Sequence, residues 1–249
     1  MPLTKLLFKY ISRIERKAAY AQGKGYGTAT IAQEVKLLLQ LLKSPPLLAI
    51  DIGGNVGEYT AELRRANPEL EIHTFEPSAT NVDKLKKRFE GDKKIKLIPL
   101  AVSNTTGTAT LFSNEPGSGL ASLTKRKLDH FNIPFECKES VDTIRFEDYW
   151  THELDKRHID IVKLDIEGHE LVALNGFGEA IKETSVLQFE FGGCNIDTRT
   201  YFQDFWYFFK DSGFDIFRIT PLGLEKIKNY RESDEFFSTT NYIAVNRTC

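Results

Sequence analysis

Leu47-Leu-Ala-Ile-Asp-Ile-Gly-Gly-Asn-Val-Gly57 constrains the fold more than any other stretch of this chain, because an apolar run ends in an acid and breaks into a glycine-rich turn. Leu47, Leu48, Ala49 and Ile50 can fill both faces of a buried parallel strand. Gly53, Gly54 and Gly57 let the chain turn tightly and come close to a bound molecule. Asp51 then falls at the carboxyl end of the strand, where open α/β sheets hold ligands. A strand-to-helix turn that binds nothing is the alternative, since short motifs recur by chance.

The rest of the chain is consistent with one α/β domain. Its 249 residues are enough for a large core, and 41% hydrophobic with 27% charged residues is ordinary globular composition. A net charge of -2 gives no reason to expect nucleic acid as a partner. Cys137, Cys194 and Cys249 are odd in number and far apart, which fits neither a zinc knuckle nor a disulfide framework and points to a reducing cytoplasm. No apolar run approaches the roughly 20 residues that span a bilayer, and no signal-peptide core is visible.

Leu3, Leu6, Leu7, Tyr10, Ile11 and Ile14 recur at helical spacing, with Lys5, Lys9, Arg13, Arg16 and Lys17 on the other side. Packing of this amphipathic helix against the main domain is the favoured expectation, with peripheral membrane or partner contact as the alternative. A second helix carries Ile31, Val35, Leu38, Leu39 and Leu42 on one face and stops at Ser44-Pro45-Pro46. From there strands and helices alternate, which predicts a parallel sheet covered on both faces. Strands are expected at 71–76, 95–101, 159–166, 186–191 and 214–220, with 240–245 closing the sheet as an antiparallel edge and 108–112 and 139–144 as additions. Phe202, Phe205, Trp206 and Phe209 form a core stripe, while Tyr201, Tyr207 and Phe208 lie off it and are available to an acceptor sugar or a homodimer contact.

Two constellations carry chemistry. Glu76 ends the second predicted strand 25 positions after Asp51, near the spacing at which an acid holds ribose hydroxyls in nucleotide-binding sheets. The first turn lacks G-x-G-x-x-G, and an acid there repels phosphate, so a dinucleotide is disfavoured. S-adenosylmethionine suits the two acids better, with its ammonium, sulfonium and ribose diol. The amides of Asn55, Val56 and Gly57 open the next helix and are placed to hold its carboxylate, with Thr60 assisting. The second constellation is Ile161-Val-Lys-Leu-Asp-Ile-Glu-Gly-His-Glu170. Lys163 and Asp165 share a strand face, as do Gln188 and Glu190 on the next strand, so Lys163, Asp165, Glu167, His169 and Glu190 converge at two strand ends. Methyl transfer to an alcohol needs alignment and a proton acceptor. His169 is the natural base, with Glu190 and Asp165 as rivals. Asp165, Glu167 and Glu190 are also a conceivable Mg²⁺ set, but such clusters often serve as salt-bridge networks, and no metal is assigned.

These segments resemble, in order, the FkbM-type family of S-adenosylmethionine-dependent methyltransferases. The resemblance rests on Asp51-Ile-Gly-Gly-Asn-Val-Gly57, Phe75-Glu76-Pro77, Leu100-Ala-Val-Ser103 followed by Gly107, Gly119-Leu-Ala-Ser-Leu123 and Val162-Lys-Leu-Asp-Ile-Glu-Gly-His-Glu170, and covers Leu47 to Val245. The family turn usually carries alanine where this chain has Gly54, so a looser turn is expected. The resemblance implies a class I, Rossmann-like α/β sheet of about seven strands, mostly parallel with an antiparallel strand near the C-terminus and helices on both faces. It implies that Asp51, Gly53, Asn55 and Gly57 line the cofactor loop, that Glu76 holds the ribose, and that Ala101 and Val102 flank the adenine. Lys163, Asp165, Glu167 and His169 would face the reaction. Residues 1–46 are read as a helical extension and 47–249 as the transferase domain. The expected activity is O-methylation of a saccharide or glycoconjugate. The alternatives are a non-sugar natural product as acceptor, a nicotinamide-dependent oxidoreductase, and a non-catalytic protein that keeps the fold.

Overall fold

The structure is a computed structural model that describes residues 3–27 and 30–248; Cys249 lies outside them. The chain opens with α1 (Leu3–Ala21) and α2 (Ile31–Leu39) and then alternates: β1 (Leu48–Ile52), α3 (Glu58–Ala66), β2 (Glu71–Phe75), α4 (Ala79–Arg88) and β3 (Ile95–Ile98). Three strands follow, β4 (Ala101–Ser103), β5 (Gly107–Ser113) and β6 (Cys137–Arg145). The second half runs α5 (Phe146–His152), β7 (Ile159–Leu164), α6 (Glu170–Asn175), β8 (Thr184–Phe191), α7 (Cys194–Thr198), α8 (Phe202–Asp211), β9 (Phe214–Thr220), β10 (Gly223–Ile227) and β11 (Thr240–Asn246).

The main sheet has eight strands in the order β10-β9-β11-β8-β7-β1-β2-β3. β3, β2, β1, β7 and β8 are mutually parallel, and β11 is antiparallel to both its neighbours. This is the class I methyltransferase order extended by one strand. Every residue of β1 is buried, as a two-sided apolar strand at the centre of a parallel sheet requires. Strand alternation divides the core: Ile50, Val162 and Leu187 face α5, α6 and α8, while Ala49, Ile161 and Val186 face α2 and α3. The stripe on α8 is buried as expected, with Phe189 stacked between Phe205 and Phe209 at 5.0 and 4.9 Å.

Three expectations need correction. The strand expected at 95–101 splits, because Pro99 lacks the N–H needed to continue a ladder; β3 stays in the main sheet and β4 joins a second sheet, β4-β6-β5. β11 is not an edge but is inserted between β8 and β9, and β10, where no strand is expected from sequence, is the edge strand. Finally, α1 does not pack on the domain: residues 4–18 are all exposed. One face of the sheet is instead covered by α2, whose Glu34, Val35 and Leu38 are buried.

Candidate active site

The cleft lies at the carboxyl edge of the sheet, where β1 leads away to β2 on one side and β7 continues on the other. It encloses about 670 Å³ of empty space including its open mouth. The turn after β1 forms one wall. Gly53 adopts φ +88° with its amide donating to the Phe75 carbonyl at 3.0 Å, and a Cβ there would fall on the Asp165 carbonyl oxygen. That position therefore admits only glycine. Gly54 is equally pinned: its amide bonds Phe75, and Thr74 Cγ2 fills the space that an alanine methyl would need. Instead of a looser turn, the chain has filled the gap from β2.

Glu76 closes this wall from the end of β2. Its Oε2 accepts the Asn55 amide at 2.7 Å and its Oε1 the Ser78 amide at 3.0 Å. Burial pushes its carboxyl up to about 7 against the pull of those two amides. The amides expected to hold a carboxylate are thus largely spent, since Asn55 gives its N–H to Glu76 and Gly57 gives its own to the Gly54 carbonyl. Gly57 itself turns away at the start of α3, against Leu85 and Phe89. Leu100, Ala101 and Val102 form the apolar side of the cleft, and Ser118, Gly119 and Leu123 also line it.

Asp51 and Thr60 are not on the cleft surface. Asp51 is fully buried, its Oδ2 accepting the Thr60 hydroxyl at 2.6 Å and its Oδ1 without a partner among the described residues. It sits beside Lys163 in the β1–β7 register. Burial raises its carboxyl and the nearby ammonium opposes that rise. Lys163 in turn donates to Asp165 Oδ2 at 2.8 Å and lies over the Tyr59 ring. Burial alone would depress its ammonium, but the carboxylates of Asp165 and Asp51 hold it above the ordinary lysine range. Asp51, Lys163 and Asp165 thus form a relay of charge from the core to the cleft, and only Asp165 reaches the surface.

The other wall is the loop after β7. Asp165, Glu167 and His169 all line it. Glu170 is buried beneath, with Oε1 accepting the Ile166 and Gly168 amides at 2.9 and 3.1 Å, so it clamps the loop in a tight turn. Its carboxyl is raised to about 7 by burial. Glu167, in a left-handed conformation at φ +55°, bonds Arg126, which also faces Asp197 at 3.5 Å. Burial and the Asp165 charge raise Glu167 to about 8 despite that arginine. His169 Nε2 lies 3.0 Å from the Ser103 hydroxyl, and burial lowers the imidazole to about 4. Glu190 is half-buried behind this wall, with no hydrogen-bond partner among the described residues, and burial together with Asp165, Glu167 and Glu170 raises it well above the usual range. Lys163 and Arg126 answer the carboxyls here, and among the described residues no group of three His, Cys, Asp or Glu is arranged to hold a metal ion.

A two-walled cleft at the switch point, with an acid at the second strand end, meets the chain's match to the methyltransferase FkbM domain over residues 51–216. The chain belongs to the FkbM methyltransferase family. A protein named 2-O-methyltransferase NoeI, from Sinorhizobium fredii, is 24% identical over 73% of this chain and 77% of its own length. A methyltransferase named sdnD, from Sordaria araneosa, is 29% identical over 55% of this chain and 62% of its own length. Among solved structures, an rRNA methylase from Streptococcus thermophilus shares 11% identity and a TM-score of 0.46, covering 86% of this chain and 94% of its own.

S-adenosylmethionine is the methyl donor of this FkbM-family methyltransferase, and the cleft fits it in two respects: a buried acid with lone pairs to spare and an apolar side beside it. Of the residues named from sequence, Gly53, Asn55, Glu76, Ala101, Val102, Asp165, Glu167 and His169 line the cleft. Asp51, Gly57, Thr60, Lys163 and Glu190 stand behind it. Arg126, Ser103 and Glu170 were missed as site residues, as was Asn81, which lines the cleft and donates from Nδ2 to Asn55 Oδ1 at 3.1 Å. Glu170 ends the quoted motif and Ser103 follows Val102, so both were within reach; nothing in the sequence ties Arg126 to Glu167, 41 positions away.

Proposed function

We propose that this protein transfers a methyl group from S-adenosylmethionine to a hydroxyl of a saccharide or glycoconjugate. The observation that carries the reading is that proton-accepting side chains, Asp165, Glu167 and His169, share one cleft with Glu76, the acid suited to a ribose diol. An alcohol acceptor demands a base more than an amine does. The relative named as a 2-O-methyltransferase supports the same choice.

In this reading Glu76 accepts the ribose hydroxyls with the lone pairs its two amide bonds leave free, and Ala101 and Val102 lie along the adenine. When bound, the cofactor supplies an electrophilic methyl carbon on a cationic sulfur. Asp165, fixed by Lys163 and through it by Asp51, turns a negative charge toward that side of the cleft. His169 is neutral at working pH and takes the hydroxyl proton on Nδ1, with Nε2 held by Ser103. Glu167 borders the acceptor end with Glu190 behind it, and both ionise more readily once a cation is near. Residues 47–249 are the transferase domain and 1–46 its helical extension, working in a reducing cytoplasm suited to the free Cys137 and Cys194.

Incubation with S-adenosylmethionine labelled at the methyl group and with extracted cellular glycans tests this. Label is expected in an alkali-stable ether on the glycan fraction. Label confined to other fractions, or no binding of S-adenosylmethionine or S-adenosylhomocysteine in a calorimetric titration, overturns it.

A further inference from the structure

α1 presents an apolar stripe that no other described residue covers. Leu7, Tyr10, Ile11 and Ile14 are 59, 55, 51 and 67% exposed, in a chain whose other helices bury their apolar faces. At 100° per residue these side chains fall on one side of the helix, and Lys5, Lys9, Arg13 and Arg16 fall together along another, with Lys17 at the border. None of these five cations meets a carboxylate among the described residues: Arg16 bonds the Ser12 carbonyl of its own helix and Arg13 lies over Tyr10. Glu15 is the single acid in α1, whereas the whole chain carries a net charge of -2, so the body beyond the helix is acidic.

We propose that α1 docks flat on a bilayer surface containing anionic phospholipid, its apolar stripe in the acyl boundary and its cations among the headgroups. An exposed apolar stripe beside a dense row of lysine and arginine is the chemistry of an interfacial helix. A second copy of the chain is a poorer occupant. It would bring five more cations against these five, with only Glu15 on each side to answer them. The acidic body is repelled by the same surface that attracts the helix, which fixes which side faces the lipid.

The root of the helix gives the docking a direction. Gly23 packs on Ile219 and Thr220 at the end of β9, Lys24 Nζ donates to the Ser233 carbonyl at 2.8 Å, and the Gly25 amide donates to Thr240 Oγ1 at 3.1 Å. Thr240 begins β11, which is antiparallel to β8, so this anchor lies at the carboxyl edge of the sheet, as the cleft does. The docking is independent of what the cleft transfers.

The test is co-sedimentation of the full chain with vesicles of phosphatidylcholine alone and of phosphatidylcholine mixed with phosphatidylglycerol. Binding is expected to the mixed vesicles only and to fall with added salt. Lys9→Ala combined with Arg16→Ala should lower partitioning about 25-fold, at about fivefold per cation. Ile11→Asp combined with Ile14→Asp should abolish it while leaving cofactor affinity unchanged; these side chains are exposed, so folding is not at stake. Failure of the unaltered protein to bind mixed vesicles overturns the proposal, as does equal binding by the variants. So does a dimer, seen by light scattering, that Ile14→Asp dissociates, since the stripe would then belong to a second copy.

Discussion

Glu76 and His169 show how burial assigns different work to two titratable groups on one cleft. Glu76 is raised to about 7 yet accepts two backbone amides, so replacing it with glutamine turns one acceptor into a donor facing an N–H. Glu76→Gln is therefore expected to weaken S-adenosylmethionine binding by at least about tenfold, a hydrogen bond to a charged group being the stronger kind. His169 makes no bond to the turn that holds Glu76; its partner is Ser103. His169→Ala should leave that affinity in place and lower kcat about 100-fold, the low end for loss of a general base, and Glu190→Gln should act in the same direction. Titration calorimetry and single-turnover transfer on the same preparations separate the two effects. The pH profile decides the base: an imidazole lowered to about 4 is neutral throughout the range above pH ~5, so the rate stays flat toward pH ~8. A rate that climbs through about 8 instead assigns the proton to Glu167.

Among the elements, α1 and α2 differ most in what they contribute to the fold. α2 places Val35 and Leu38 in the core over Ala49, Ile161 and Val186, and its buried Glu34 accepts from Gln188 Nε2 at 2.6 Å and Asn241 Nδ2 at 2.8 Å. Removing it exposes that face and leaves buried amides unpaired, a loss on the order of 5 kcal/mol or more. Deleting residues 1–21 should shift Tm little, whereas deleting 1–46 should lower it by at least about 10 °C, read by calorimetry. Equal losses would show that α1 carries stability after all. The same contrast marks what the sequence can reveal. Both helices have the right period, but periodicity states that a face is apolar and not what it meets, so α1 and α2 read alike. β1 was legible because burial on both faces leaves a continuous apolar run, and the α8 stripe because its aromatics repeat at helical spacing. The insertion of β11 between β8 and β9 was not, since strand order is a long-range property that a local pattern does not encode. At the site, residue types and strand ends placed Glu76, Asp165, Glu167 and His169 on the cleft. What local pattern could not supply was which acid is spent on its own neighbours: Asp51 on Thr60, Glu170 on the Ile166 and Gly168 amides.

Taken over the whole molecule, the cleft is built at the expense of stability near neutral pH. Glu76, Glu167 and Glu170 are raised to about 7, 8 and 7 in the folded protein, so each binds its proton more tightly folded than unfolded. Where the folded state holds more protons, raising the pH favours unfolding. The loss begins above the unfolded carboxyl value of about 4.3 and is complete once pH passes the folded values near 8. His73 and His169 act in the opposite sense: burial lowers both, so protonation of the unfolded chain costs stability below about 6.5, and that cost fades as the pH rises to it. The histidines offset the carboxyls only in part in the acid range, since three carboxyls oppose two imidazoles, and above it they leave the carboxyls alone. Tm of the cofactor-free protein should therefore fall as the pH is raised from ~5 to ~8, with roughly 5–10 °C of that fall between pH ~6.5 and ~8. Glu167→Gln, which removes the most strongly raised of the three, should flatten that fall. A Tm that rises over the same interval would mean that these carboxyls are ionised and paired in the folded protein, with Arg126 and Lys163 outweighing burial, and that the cleft meets a cationic ligand with its negative charge already in place.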